Sequence, residues 1–234
     1  MAGDVQRDKA HQQWNSLKDA VYTIDPVKGL PDMVFVCNAG LAYDNKIYLS
    51  RFRHKERSGE QEHYRRWFKE HGFDVLGDSY PEYFEGGGDA CFSTYETLWA
   101  GYGHRSGKSA YEHVQKLGNF ETVLLELTHP RFYHLDTCFA PVDETTALWY
   151  PAALSENARR EITKRMPDVI SISDAEADAF VCNAITIRKM VLSPKGVSAE
   201  TKHRLSKRGF GVMEFDMSEF MKSGGACQCL ILKL

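Results

Sequence analysis

A repeating rhythm of short apolar runs and single helices constrains this chain more than any other feature. The runs come in groups, each followed by one helical stretch, and the cycle recurs at intervals of roughly 40–50 residues. After a turn at Gly29-Leu30-Pro31-Asp32, the runs MVFVC (33–37) and IYLS (47–50) precede a predicted helix over 59–72 that stops near Gly72. FDVL, ACFST and TLWAG lead to a helix near 107–117, and VLLEL, RFYHL and ALWYP lead to one near 155–165. VISIS, FVCNAITI and KMVLS lead to a helix near 199–208, after which GVMEF and the terminal CLILKL read as strands. An opening helix is expected over 5–22, where Trp14, Leu17 and Val21 fall at helical spacing. This is α/β organisation, with a weak structural repeat in element order. With no long linker and no low-complexity segment, residues 1–234 read as one domain.

Composition narrows the function classes. Apolar residues make up 43% and charged residues 26%, an ordinary globular balance, and the net charge of −3 offers nucleic acid no basic surface. No segment approaches the roughly 20 apolar residues of a membrane span. The N-terminus is polar and charged, so a cytoplasmic location is expected. Six scattered cysteines, Cys37, Cys91, Cys138, Cys182, Cys227 and Cys229, argue for free thiols rather than a disulfide framework.

Five segments carry candidate chemistry. GYGHRSGKSAY (101–111) imitates a phosphate-binding loop, but five residues stand between Gly101 and Gly107 where that loop has four; a strand-to-helix turn with Arg105 as an anion contact is the other reading. FEGGGDA (84–90) places three glycines between Glu85 and Asp89, where close backbone approach and a carboxylate suit a planar guanidinium, or where a glycine-rich loop simply carries two solvated acids. In RFYHLDTCFAP (131–141), His134 and Asp136 share a face if the segment is extended, so the acid can orient the base. A zinc site from these two with distant cysteines lacks paired ligand spacing. SGGACQC (223–229) sets Cys227 and Cys229 after glycines, either as a reactive thiol needing a cationic neighbour such as His134 or as two small buried hydrophobes. LPDMVFVCNAGL (30–41) interrupts an apolar run with Asp32 and Asn38, for which turn chemistry is the plain reading.

The order of these blocks resembles the guanidine-modifying superfamily, the penteins, which includes dimethylarginine dimethylaminohydrolases, arginine deiminases, arginine dihydrolases and amidinotransferases. Asp-x-x-Phe-x-x-Asn, Glu-Gly-Gly-Gly-Asp, Gly-x-x-Arg-Ser, His-Leu-Asp-Thr and a C-terminal Gly-Gly…Cys follow one another from about residue 10 to the end. The resemblance implies an α/β propeller of about five ββαβ modules around a pseudo-fivefold axis, with the active site in the central channel. It implies Cys229 as nucleophile, His134 as acid/base and Glu85 as the acid that holds the guanidinium and places the His. Asp32, Asp136 and Asp89 are the implied substrate-binding acids, and Arg57 and Arg105 the arginines for a substrate carboxylate. The expected reaction is hydrolysis at the guanidino carbon of arginine or a methylated arginine through a covalent thiouronium, with no metal or organic cofactor. Asn38, in CNAG, resembles the arginine dihydrolase group, where an amide can serve a ureido oxygen. The family's opening strand is absent, so the first module is expected to be shortened and its edge open, which also suits a catalytically silent arginine binder. A thiol-regulated protein using Cys227 and Cys229 is a further alternative. The partner expected is a small molecule; family members are often dimers, but nothing in the sequence sets an interface.

Overall fold

The computed structural model describes residues 6–15 and 22–234. Helix α1 spans Arg7–Asn15; the rest of the predicted opening helix lies outside the described residues. Four modules of one design follow. In the first, strands β1 (Gly40–Tyr43) and β2 (Lys46–Leu49) form an antiparallel hairpin, α2 (Glu60–Glu70) crosses over, and β3 (Asp74–Leu76) pairs parallel with β2. The second contains β4 (Ala90–Thr94), β5 (Thr97–Tyr102), α3 (Ala110–Val114) and β6 (Glu121–Glu126). The third contains β7 (Phe139–Pro141), β8 (Thr146–Trp149), α4 (Glu156–Arg165) and β9 (Asp168–Ser171). A short helix α5 (Asp174–Asp178) leads into the fourth, with β10 (Ile185–Ile187), β11 (Met190–Pro194), α6 (Ala199–Ser206) and β12 (Gly211–Phe215). Each sheet has three strands, with the middle strand antiparallel to the first and parallel to the third. Helix α7 (Ser218–Met221), packed against α1, and the C-terminal turn fill the fifth position, where no strand is found among the described residues.

The middle strands are apolar on both faces because each is covered twice. Ile47, Tyr48, Leu49, Leu98, Trp99, Ala147 and Leu148 are all buried. The crossover helices show the matching stripe; α2 turns Tyr64 and Phe68 inward, and of its charged residues only Glu60 is buried with them. A cavity of about 110 Å³ is bordered by Leu41, Ala90, Phe139, Ala184, Gln228 and Asp136, one or more residues from every module and from the C-terminal turn. The modules therefore surround a common axis, as expected of the propeller.

Four predicted strands are something else. MVFVC forms two successive 3-10 turns, Pro31–Val34 and Val36–Ala39, because Pro31 lacks an N–H and the N–H groups of Phe35 and Asn38 turn back to Asp32 and Phe35. RFYHL (131–135) is irregular and runs into a 3-10 turn over Leu135–Thr137 capped by His134, so His134 and Asp136 do not share a strand face. Only Ile185–Ile187 of FVCNAITI is strand; its first half is a turn with Phe180 at φ +58°. CLILKL is not a strand: the N–H groups around Cys229 bond Asn183 instead of a ladder partner.

Candidate active site

Each module enters its first strand through a tight turn, and those turns carry the polar residues of the axis. Module one supplies Cys37 and Asn38, module two Glu85 and Asp89, module three His134 and Asp136, module four Asn183, and the C-terminal turn Cys229; all are buried. The glycines of EGGGD allow the turns to close on one another. Gly86 sits at φ +55°, where a Cβ would stand 2.7 Å from the Gly40 carbonyl oxygen, and a Cβ on Gly88 would overlap the Asn38 amide and crowd the His134 ring at 3.2 Å. The close approach is thus to neighbouring protein rather than to a ligand.

Around the nucleophile candidate, the Asn183 amide donates to Cys229 Sγ at 3.1 Å, and its carbonyl accepts from the N–H groups of Ala226 (3.1 Å) and Cys229 (3.2 Å). Cys229 Sγ lies 3.3 Å from Asp136 Oδ2, and Cys37 Sγ lies 3.8 Å from the same oxygen. A hydrogen bond from the Cys37 thiol lowers the Cys229 pKa to about 6 against the cost of burial, helped by the Ala226 N–H, the charge of His134 and the Asn183 amide. Burial, with the neighbouring sulfur, pushes Asp136 well above the usual carboxylate range. Its Oδ1 is buried with no hydrogen-bond partner.

His134 Nε2 meets Glu85 Oε2 at 2.7 Å. Glu85 also accepts from the Arg53 N–H at 3.1 Å and from Arg105 at 3.3 Å. Burial alone would raise its pKa, but His134 and Arg105 hold it down at about 2. Arg105 is about one-fifth exposed, with its guanidinium over the Tyr133 ring at 4.6 Å. Asp32 is half-buried beside Met33 at the start of the same region. Both side chains are partly exposed.

Three predicted contacts are used internally. Arg57 is buried, with Nε and Nη2 on the two oxygens of Glu60 at 2.9 and 2.8 Å, and Nη2 also on the carbonyls of Asp32 and Phe35. Its remaining nitrogen donates to Asn38 Oδ1 at 2.9 Å, while Asn38 Nδ2 donates to the Glu85 carbonyl at 2.9 Å. Arg57 is therefore a clamp for the first turn, and Asn38 links that clamp to the Glu85 backbone. Asp89 accepts from Ser106 Oγ at 2.6 Å, from the Ser106 N–H, and from the Leu135 N–H at 3.1 Å, so it braces His134 through the neighbouring backbone.

Asn183 is the functional candidate that sequence reasoning missed. A signal was present: Phe-Val-Cys-Asn-Ala occurs at 35–39 and again at 180–184. Cys227 shares an apolar cluster with Cys229, but it is Cys37, not Cys227, whose sulfur joins Cys229 at Asp136. The one cation-sized cluster among the described residues is Cys37, Asp136 and Cys229, with ligand atoms within 4.8 Å of one another; His134 is not part of it. GYGHRSGKSAY is an ordinary turn whose Ser106 serves Asp89.

A propeller that brings a sulfur, a Glu-bound imidazole and an unsatisfied buried carboxylate to its axis defines a pentein hydrolase. The family described as N,N dimethylarginine dimethylhydrolase, eukaryotic, matches residues 16–234, and the chain belongs to it. It is 62% identical, over its whole length and 86% of the relative's, to an uncharacterized protein of Caenorhabditis elegans. It is 39% identical to the bifunctional arginine dihydrolase/ornithine cyclodeaminase ArgZ of Synechocystis, over all of this chain but 35% of ArgZ. The N-terminal domain of ArgZ, solved covalently bound to a reaction intermediate, has a TM-score of 0.94 at 39% identity, covering 97% of this chain and 87% of that one. No helix among the described residues is long and apolar enough to cross a membrane.

Proposed function

We propose that the protein hydrolyses the guanidino group of arginine by covalent catalysis at Cys229, as an arginine dihydrolase. The observation that carries the guanidinium reading is Asp136 Oδ1, a buried acceptor without a donor in the same residue that touches Cys229 Sγ. A guanidinium N–H fits that acceptor, and its positive charge offsets the burial that raises the Asp136 pKa. Arg105 and Asp32 suit the carboxylate and ammonium ends of an amino acid.

The Cys229 sulfur attacks the guanidino carbon, and the N–H groups held by Asn183 keep that sulfur in place. His134, fixed by Glu85, passes a proton to the departing amine and then takes one from the water that cleaves the thiouronium. Two such rounds carry arginine to ornithine, two ammonia and carbon dioxide. Similarity to ArgZ supports the dihydrolase outcome, while the family match favours a second reading, release of dimethylamine and citrulline from dimethylarginine.

Purified protein is incubated separately with arginine and asymmetric dimethylarginine, with Cys229→Ser as control. Ornithine from arginine, absent in the variant, is the expected result. Citrulline with dimethylamine moves the protein to the second reading. No turnover from a folded preparation rejects both and leaves a silent arginine binder.

A further inference from the structure

Beyond the hydrogen bond that lowers the Cys229 pKa, Cys37 takes no step in hydrolysis, yet it is the thiol beside the nucleophile. Cys37 Sγ and Cys229 Sγ lie within 4.8 Å, both facing Asp136 Oδ2. The backbones are tied as well: the Cys37 N–H donates to the Cys229 carbonyl at 3.1 Å. With about 1.46 Å from N to Cα and about 2.4 Å from Cα to the carbonyl oxygen, that bond keeps the two Cα atoms within about 7 Å. A disulfide spans that separation, and side-chain rotation brings the sulfurs to the bonding distance of about 2.05 Å. Cys138 and Cys182 lie in the large core and Cys91 against it; Cys227 shares the apolar cluster of Cys37 and Cys229, but its sulfur is not part of the group that the other two form with Asp136.

We infer that Cys37 is a resolving cysteine, and that a peroxide converts Cys37 and Cys229 into a reversible disulfide that switches the hydrolase off. In the first step the Cys229 thiolate attacks a peroxide oxygen; the S–O bond forms, the O–O bond breaks, and hydroxide leaves, giving the sulfenic acid. In the second, the Cys37 sulfur attacks that sulfenic sulfur, the S–O bond breaks, and the departing hydroxide takes the Cys37 proton as water. Two thiol sulfurs are oxidised and one peroxide is reduced. The lowered pKa of Cys229 supports the first step, because the thiolate is the attacking form. The disulfide also shields Cys229 from irreversible sulfinic acid. The switch rests on the hydrolase reading; the linkage itself does not.

The experiment treats the full chain with hydrogen peroxide in the presence of a chelator, blocks remaining thiols, and digests with trypsin without reduction. The expected product joins peptide 29–46 to peptide 223–233, with fragmentation placing the bond on Cys229 rather than Cys227. Turnover should fall about tenfold as the link forms and return with dithiothreitol. In Cys37→Ser, and in Cys37→Ala as a second variant, the link is missing and Cys229 proceeds to an acid that dithiothreitol does not rescue. Oxidised Cys229 with Cys37 still alkylatable in the natural chain, or a link to Cys227, overturns the inference. A protein that forms the link but turns over neither substrate sinks the hydrolase reading alone.

Discussion

The two copies of Phe-Val-Cys-Asn-Ala, at 35–39 and 180–184, fold differently and serve different groups. Phe35 has φ −86° and opens a 3-10 turn, whereas Phe180 has φ +58° and follows a helix held by a Ser173–Glu176 capping box. In the first copy, Cys37 faces Asp136, and Asn38 joins Arg57 to the Glu85 backbone. In the second, Cys182 is sealed in the large core and Asn183 holds Cys229. Five identical residues therefore leave the turn undecided; what precedes them and what packs over them decides it. The asparagine in both copies ends as a bridge between neighbouring modules, one serving the acid/base side and the other the nucleophile.

The sharpest way to break this pairing is to truncate both asparagines. Asn183→Ala removes a donor to the Cys229 sulfur and the acceptor for two buried N–H groups, so kcat should fall about 100-fold. Each buried group left unpaired costs about 1–3 kcal/mol, so the melting temperature should drop too. Asn38→Ala loosens Glu85 behind His134 without touching the sulfur, and kcat should fall only about tenfold, less than the roughly 100-fold that an ångström of misplacement costs. Its product mixture should shift from ornithine toward citrulline. Equal losses in the two variants, by steady-state kinetics, would erase the division of labour.

The cysteines sharpen the comparison at a smaller scale. Cys37→Ala removes the thiol donor that lowers the Cys229 pKa to about 6. The acid limb of kcat/KM should move to higher pH, so activity is lost at pH 6 and largely recovered at pH 8. Cys182→Ser buries a hydroxyl in the apolar core and should cost about 1–3 kcal/mol in stability while leaving that limb where it was. A shifted limb in the Cys182 variant would mean that the two copies communicate.

The element order was legible because each module repeats the same hydrophobic pattern, and the fixed order of the blocks was enough to group Glu85, His134 and Cys229 as one candidate site. Asp136 was found, but for the wrong geometry: a His-x-Asp spacing reads as a shared strand face, and the 3-10 turn at Leu135–Thr137 sends the two side chains to different partners. Apolar runs such as MVFVC and CLILKL read as strands because burial looks the same in a buried turn; only the hydrogen bonds across the axis distinguish them. Arg57 reads in the sequence as a ligand contact, yet its partner Glu60 stands three residues on, close enough to pair locally. Asn183 could have been reached through the repeated pentapeptide, whereas the approach of Cys37 to Cys229 spans the whole chain and has no local signature.

The last comparison is between the carboxylates that adjoin the two copies. Glu85 lies against the first and Glu176 precedes the second, and both have pKa values held at about 2 against a usual 4.5. Burial opposes both; Glu85 is held by the His134 hydrogen bond and charge and by Arg105, Glu176 by the N–H groups of Ser173 and Ser198. A carboxylate depressed in the folded state adds stability that is complete above its unfolded pKa and is lost as pH falls through the folded one. Thermal melts should therefore show stability falling from about pH 4.5 toward pH 2. Glu176→Gln should flatten part of that slope with turnover at neutral pH preserved, since a Gln still completes the capping box. Glu85→Gln should flatten its own part and also abolish turnover, because the imidazole loses its charged partner. A Glu176 variant with the same catalytic loss would show that the fourth module's entry helix, and not only Asn183, sets the position of the sulfur.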